Sequence, residues 1–357
     1  MADPRQTPDL RVLYLNPSGG CNLRCRHCWV APAPSGEEFR TRTAQSGELD
    51  AAAWGRILDE ALPLGLAWVK FTGGEPLARV DFPSIYAEAA GRGLGTIIET
   101  NGTLEPPGIW EAFAAAPPSF VAVSLDSADE AEHDSFRGVP GSHRRTLAFL
   151  ARLREVGINI QVITSVEDLD PVRVKAMAEL AESCGASTLS VTPVQPIGRG
   201  AGRASDRFPI GELLDFFGKI DRGFGPRVVV NAPPAFLSPK RLLNLSTCPI
   251  LNLLGVLPDG TLSFCGIGFT RADLRMGNAS VRGSLTEAWR EHPLVLRLRS
   301  DLLGPRPEPC GSCFFRLSCM GNCVMQNYSR TGDFAAPGWV CAAAMEAGLF
   351  PASRRLD

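Results

Sequence analysis

The chain has 357 residues, 45% of them hydrophobic, with 36 Lys and Arg against 38 Asp and Glu. Such an apolar fraction supplies a large core and excludes a disordered chain, and the length fits one large α/β unit plus a smaller one. A net charge of −2, with no polybasic run, excludes nucleic acid and anionic membrane surfaces as partners.

Met1 to Leu10 is polar and Pro-rich with no apolar h-region, so no signal peptide is expected and the expected address is the cytoplasm. No apolar run reaches the roughly 18 residues of a membrane span. From Leu10 to about Val194, short apolar runs alternate with helical patterns. The predicted strands are Val12–Asn16, Ala67–Thr72, Gly95–Thr100, Phe120–Leu125, Asn159–Thr164 and Ser187–Thr192. The predicted helices between them are Ala51–Leu62, Phe82–Arg92, Gly108–Ala115, Arg144–Val156 and Pro171–Cys184. Six such units predict an α/β fold, a partial (β/α)6 TIM-type barrel with ligands at the C-terminal ends of its strands. A further helix, Ile210–Ile220, is followed by Pro and Gly breakers and then by a Cys-, Gly- and Pro-rich segment. We expect a barrel domain over 1–225 and, over 226–357, a bridging segment with a small, loop-rich domain.

Cysteine is the informative residue: there are 11, and a reducing compartment disfavours disulfides, so clustered thiols point to metal or redox chemistry. The run Cys21-Asn-Leu-Arg-Cys25-Arg-His-Cys28 follows the first predicted strand directly. Three thiolates on one tight loop can hold three irons of a cubane and leave the fourth open. A zinc ion would need a fourth ligand, for which His27 is the only nearby candidate.

This spacing after a first barrel strand resembles the radical S-adenosylmethionine (SAM) superfamily. The resemblance implies that Cys21, Cys25 and Cys28 hold a [4Fe–4S] cluster and that His27 lies near the adenine of SAM; an ordinary loop His is the alternative. Phe71-Thr-Gly-Gly-Glu75-Pro76 resembles the family segment that binds the methionyl ammonium. There Gly73 and Gly74 would let backbone approach, and Glu75 would offer charge to a cation. Glu99-Thr-Asn101-Gly-Thr and Ser124-Leu-Asp126 resemble segments near the ribose and carboxylate, with Asp126 alternatively capping a turn. Arg137 matches a carboxylate-binding Arg, a task suited to a guanidinium. Leu189 to Gln195 is expected as an adenine-side wall.

Seven further thiols follow: Cys248, Cys265, Cys310, Cys313, Cys319, Cys323 and Cys341. Spacing alone leaves paired zinc sites open. The pattern resembles the SPASM domain of radical SAM enzymes, which implies two auxiliary [4Fe–4S] clusters. By that correspondence Cys310, Cys313, Cys319 and Cys341 close one, and Cys248, Cys265 and Cys323 belong to the other, which keeps an open iron or a non-Cys ligand. Cys184 is left as a small buried thiol.

The cofactors implied are therefore SAM and three [4Fe–4S] clusters. The implied activity is reductive cleavage of SAM to a 5′-deoxyadenosyl radical that oxidatively modifies a ribosomally made peptide, by a crosslink, thioether or C–C bond. An external donor such as flavodoxin or ferredoxin would supply electrons. Gly266, directly after Cys265, departs from the Asp of sulfatase-maturing members. About ten residues precede the first strand, so leader recognition is expected to need a separate protein or another surface. The alternatives are dehydrogenation or epimerisation of a small molecule such as a sugar or aminoglycoside, and a zinc-bound scaffold without catalysis.

Overall fold

The computed structural model describes residues 7–31, 35–36, 39, 47–203, 205–243 and 247–356. Most of the N-terminal segment Met1 to Leu10 lies outside the described residues. In chain order, strand β1 (Val12–Leu15), helix α1 (Ala51–Ala61), β2 (Trp68–Phe71), α2 (Phe82–Ala90), β3 (Gly95–Thr100), α3 (Ile109–Ala115) and β4 (Phe120–Ser124) form the first half of the sheet with its helices. Then come α4 (Glu130–Arg137), α5 (Ser142–Glu155), β5 (Ile160–Val166), α6 (Pro171–Ser183), β6 (Thr188–Pro193), α7 (Ile210–Gly223) and β7 (Val228–Val230). The rest of the chain is α8 (Pro239–Leu242), β8 (Leu253–Val256), β9 (Leu262–Ser263), α9 (Ser284–Glu291), α10 (Pro293–Leu303), α11 (Arg316–Cys319), α12 (Val324–Thr331) and α13 (Trp339–Glu346).

The sheet runs β7-β6-β5-β4-β3-β2-β1-β8-β9. Every neighbouring pair is parallel except β8 with β9. The six predicted βα units are present in order, as a parallel sheet curved into a partial barrel. Two strands extend it that the sequence reading did not anticipate. Val228–Val230 adds outside β6, and Leu253–Val256 adds beside β1, pairing Tyr14 with Gly255. Thus the Cys-rich part of the chain continues the barrel sheet. Both runs are too short to stand out against their Gly- and Pro-rich surroundings.

Alternation along the strands explains the layering. Leu13, Leu15, Val69, Phe71, Ile98, Val123, Val162 and Val191 are buried in one apolar core with Trp54, Ile57, Phe82, Tyr86 and Phe149 of the helices. Their alternates Tyr14, Lys70, Glu99, Ser124, Gln161 and Ser190 are half-buried. A polar, partly accessible inner face is what a barrel that receives a ligand requires.

Helix α4 was not predicted, because Glu130–Arg137 carries almost no apolar periodicity. It is held by its ends instead. The Asp129 carboxylate accepts from Glu132 N at 2.8 Å, a cap that contributes about 1 kcal/mol. Glu130 and Glu132 favour its N-terminus and Arg137 its C-terminus. The C-terminal region docks on the barrel through Glu60 of α1, whose carboxylate accepts from Gly283 N at 3.0 Å and Thr286 N at 2.8 Å at the start of α9.

Candidate active site

The loop after β1 carries Cys21, Cys25 and Cys28. It is fixed from three sides. Arg24 N and Arg26 N donate to the carbonyls of Arg137 and Phe136 at 3.0 Å each, pinning the loop to the end of α4. From the loop after β6, Arg199 N donates to Cys28 O at 2.9 Å and Arg199 Nε to Cys25 O at 2.8 Å. From the end of β3, Asn101 Nδ2 donates to Asn22 Oδ1 at 3.0 Å and approaches Cys21 Sγ at 3.8 Å. Asn22 in turn donates to Thr103 Oγ1 at 2.7 Å. Cys21 and Cys25 are buried with Leu23 and Val139, and Cys28 packs against them. Burial pushes the Cys21 and Cys25 thiols up; Glu75 adds to the rise at Cys21, while Arg137 opposes it at Cys25.

The segment after β2 lies beneath this loop. At Gly74 a Cβ would stand 2.0 Å from the Gly20 carbonyl oxygen, so only glycine admits this backbone approach. Gly73 has φ +111°, a conformation that side chains disfavour. Glu75 is fully buried. Its carboxylate accepts from Leu77 N at 3.0 Å, Thr100 Oγ1 at 2.7 Å and Asn101 N at 2.8 Å. Burial nevertheless dominates and raises its pKa to about 7. An incoming ammonium would offset that desolvation, so this carboxylate suits a cationic ligand.

Arg137 is a buried residue at the end of α4. Its Nε forms an ion pair with Asp126 Oδ2 at 2.6 Å, and its Nη1 points to Cys25 Sγ at 3.7 Å. Burial works against ionisation of Asp126, but Arg137 and neighbouring histidines hold its pKa below the usual carboxylate value. Asp126 Oδ1 also accepts from Ser165 N at 2.8 Å. The His27 ring stacks on Phe136 with centroids 4.3 Å apart. Burial lowers its pKa to about 4, so the ring is neutral at physiological pH, and its Nδ1 has no partner among the described residues.

Thus His27, Gly73, Gly74, Glu75, Asn101 and Arg137 converge on the thiol loop. Ser124 ends β4 on the half-buried inner face. Leu189 does not join them: it faces the apolar core, and Ser190 and Thr192 occupy the inner face of β6. A cavity of about 430 Å³ opens beside the loop among Arg26, Asp126, Phe136, Ser165, Glu167 and Met177. Of the residues expected near the cofactor, Asp126 lines it. Three features escaped the sequence reading: the Asn22–Asn101–Thr103 network, the Asp126–Arg137 pair and the inner-face trio Tyr14, Lys70 and Glu99. Only Lys70 left a trace, as a cation within the otherwise apolar Trp68–Phe71.

The seven later thiols fall into two groups. Cys310, Cys313, Cys319 and Cys341 line a small cavity of about 20 Å³ together with Pro233, Phe315 and Phe350. Burial raises the Cys310 thiol and brings Cys319 to about 11. Cys248, Cys265 and Cys323 form the other group: burial raises each thiol, that of Cys248 to about 12, and repulsion from the neighbouring thiols adds to the rise at Cys248 and Cys323. Cys248 is exposed as a residue, yet its sulfur points inward enough to feel both partners. Among the described residues, no three His, Cys, Asp or Glu side chains converge as tightly as a single metal ion requires. No helix among them is long and apolar enough to cross a membrane.

A partial parallel barrel with three thiols on the loop after its first strand is the architecture of a cofactor-dependent α/β enzyme. Residues 15–181 match the family model of the Radical SAM superfamily. The chain is 35% identical over 342 residues to a Methanosarcina barkeri protein named AdoMet-dependent heme synthase, covering 91% of this chain and 94% of that one. It is 27% identical over 304 residues to a Granulibacter bethesdensis protein named PqqA peptide cyclase, covering 83% and 79%. Streptococcus suis SuiB bound to its precursor peptide SuiA shares the fold, with a TM-score of 0.71 at 18% identity over 94% of this chain and 76% of that one. The chain belongs to the radical SAM superfamily and is an enzyme of that group, which binds SAM and a [4Fe–4S] cluster.

Proposed function

We propose that the protein oxidatively modifies a peptide by radical SAM chemistry supported by two auxiliary clusters. The observation that carries the reading is the loop itself: three thiols clamped by β3, α4 and the loop after β6, directly above the buried Glu75 carboxylate. A [4Fe–4S] cluster held there by Cys21, Cys25 and Cys28 would supply the electron for reductive cleavage of SAM to a 5′-deoxyadenosyl radical, the oxidant of the substrate.

Cys21, Cys25 and Cys28 hold that cluster in this reading. Glu75, with the backbone at Gly73 and Gly74, receives the methionyl ammonium. Arg137 offers its guanidinium to the carboxylate, with Asp126 fixing the approach through one edge. Asn101 serves chiefly to hold the loop through Asn22, and Ser124 borders the ribose. His27 contributes a neutral ring on the adenine side, and Leu189 supports that side through β6. The two later thiol groups hold auxiliary [4Fe–4S] clusters, and 226–357 forms a SPASM-type unit on the barrel of 1–225. Burial of these thiols suits iron–sulfur ligation, since exclusion of water tunes the potential. An external flavodoxin or ferredoxin supplies electrons, and a separate protein presents the peptide leader.

The peptide substrate is supported by the likeness to a PqqA peptide cyclase. A second reading, heme-forming chemistry, is favoured by the 35% identity to an AdoMet-dependent heme synthase. Both are tested by incubating the anaerobically reconstituted enzyme with SAM and dithionite, and with either a peptide encoded beside its gene or a heme precursor. Peptide lighter by hydrogen atoms supports the first reading; heme absorbance without any peptide change supports the second.

A further inference from the structure

The inner face of the barrel carries a charged group outside the proposed SAM contacts. Tyr14 of β1 stands in register with Lys70 of β2 on one side and Gly255 of β8 on the other. Lys70 Nζ lies 4.9 Å from the centre of the Tyr14 ring and 2.5 Å from Glu99 Oε1. The second oxygen of Glu99 accepts from Thr72 Oγ1 at 2.8 Å. Glu99 is therefore tied at both oxygens, and the Lys70 ammonium is set on the side of Tyr14 and β8.

What covers β8 at that level is the Cys265 turn. A Cβ on Gly255 would lie 1.8 Å from the Phe264 carbonyl oxygen and 2.5 Å from the Phe269 ring. Phe269 N donates to Cys265 O at 3.2 Å. One row of side chains thus leads from Glu99 through Lys70 and Tyr14 to the backbone next to Cys265. Lysine is scarce in this chain, at positions 70, 175, 219 and 240 alone, and Lys70 is the one placed inside the barrel.

We propose that Lys70 is the counter-charge of the Cys248/Cys265/Cys323 centre, held by Glu99 and Thr72 so that its ammonium faces that centre and favours its reduced state. The proposal rests on the reading that this trio holds a [4Fe–4S] cluster. Three thiolates make such a cluster anionic, and each added electron deepens the charge, so a fixed cation in a low-dielectric interior eases reduction. One electron passes from the reductant to the cluster; no bond forms or breaks. Glu99 opposes Lys70 electrostatically but stands on β3, one strand further from β8.

The test is an EPR-monitored redox titration of the anaerobically reconstituted enzyme at mildly alkaline pH, without substrate, using dithionite and mediators. Cys323→Ala identifies which signal belongs to this centre. Lys70→Met lowers the midpoint potential of that signal, Glu99→Gln raises it and Lys70→Arg stays near wild type; Lys70→Gln serves in place of the Met variant if that variant fails to load iron. Opposite shifts are expected because the two charges oppose; a purely structural role would move both variants the same way. Midpoints unchanged in both, or shifted in one direction in both, overturn the proposal while leaving the cluster in place. Loss of no iron and no signal in Cys323→Ala overturns instead the cluster assignment beneath it.

Discussion

Arg137 Nε and Asp126 Oδ2 stand 2.6 Å apart, both side chains almost fully buried, at the point where α4 meets the thiol loop. Neither charge has bulk water to fall back on, so each depends on the other. Arg137→Met leaves a buried, uncompensated carboxylate and is expected to cost about 3–5 kcal/mol of stability. Asp126→Asn/Arg137→Met, which removes both charges, recovers a large part of that loss. Urea denaturation of the four proteins of this cycle measures it; a double variant as unstable as the single one would show that no such pairing operates.

Glu75→Gln tests the proposed ammonium site. The carboxylate accepts three hydrogen bonds, so the amide loses at least one of them and all of the charge. SAM affinity by calorimetry is expected to fall roughly 10- to 100-fold, as a lost charge-assisted contact implies, with iron content retained. Unaltered affinity would place the ammonium elsewhere.

Gly74→Ala tests the close approach of two backbone segments. The added methyl would meet the Gly20 carbonyl, which is backbone and cannot rotate away. The loop must shift, so we expect the variant to lose iron from the first site while the C-terminal thiols still load. Full iron content in a folded variant would contradict the packing.

His133 gives a pH signature. Burial lowers its pKa to about 4, and its Nδ1 accepts from Asp126 N at 3.2 Å. Between pH 6.5 and 4 the unfolded chain binds a proton at this residue that the folded chain refuses. Stability therefore falls as pH drops through that window, by up to about 1.4 kcal/mol per pH unit. His133→Gln flattens this slope in denaturation curves collected from pH 7 to 5; an unchanged slope would assign the acid sensitivity to other groups.

The barrel was legible because short runs with Leu, Val or Ile, such as Val12–Leu15 and Gly95–Thr100, sit between amphipathic helices, and that signal is local. Helix α4 was not, since its stability comes from Asp129 and from docking on the loop, not from an apolar stripe. Strand β8 was hidden by its Gly- and Pro-rich surroundings; its place is decided by β1, more than 230 residues earlier. In the site, cysteine spacing announced itself, as ligand chemistry demands particular residues. Arg137 was expected to face a ligand carboxylate, and the partner Asp126, 11 residues earlier and just after β4, could not be chosen over a capping role without the fold. Leu189, expected in an adenine-side wall, lies on the core face of β6, because neither period nor composition says which face of a strand turns inward.

The most direct test of the account is iron content and SAM cleavage in one anaerobically reconstituted preparation, wild type beside the Cys21→Ala/Cys25→Ala/Cys28→Ala variant. The account predicts on the order of 12 iron atoms per wild-type chain and about eight in the variant, with 5′-deoxyadenosine formed from SAM and dithionite by the wild type alone. Zinc in place of iron, or 5′-deoxyadenosine from the variant at the wild-type rate, would contradict it.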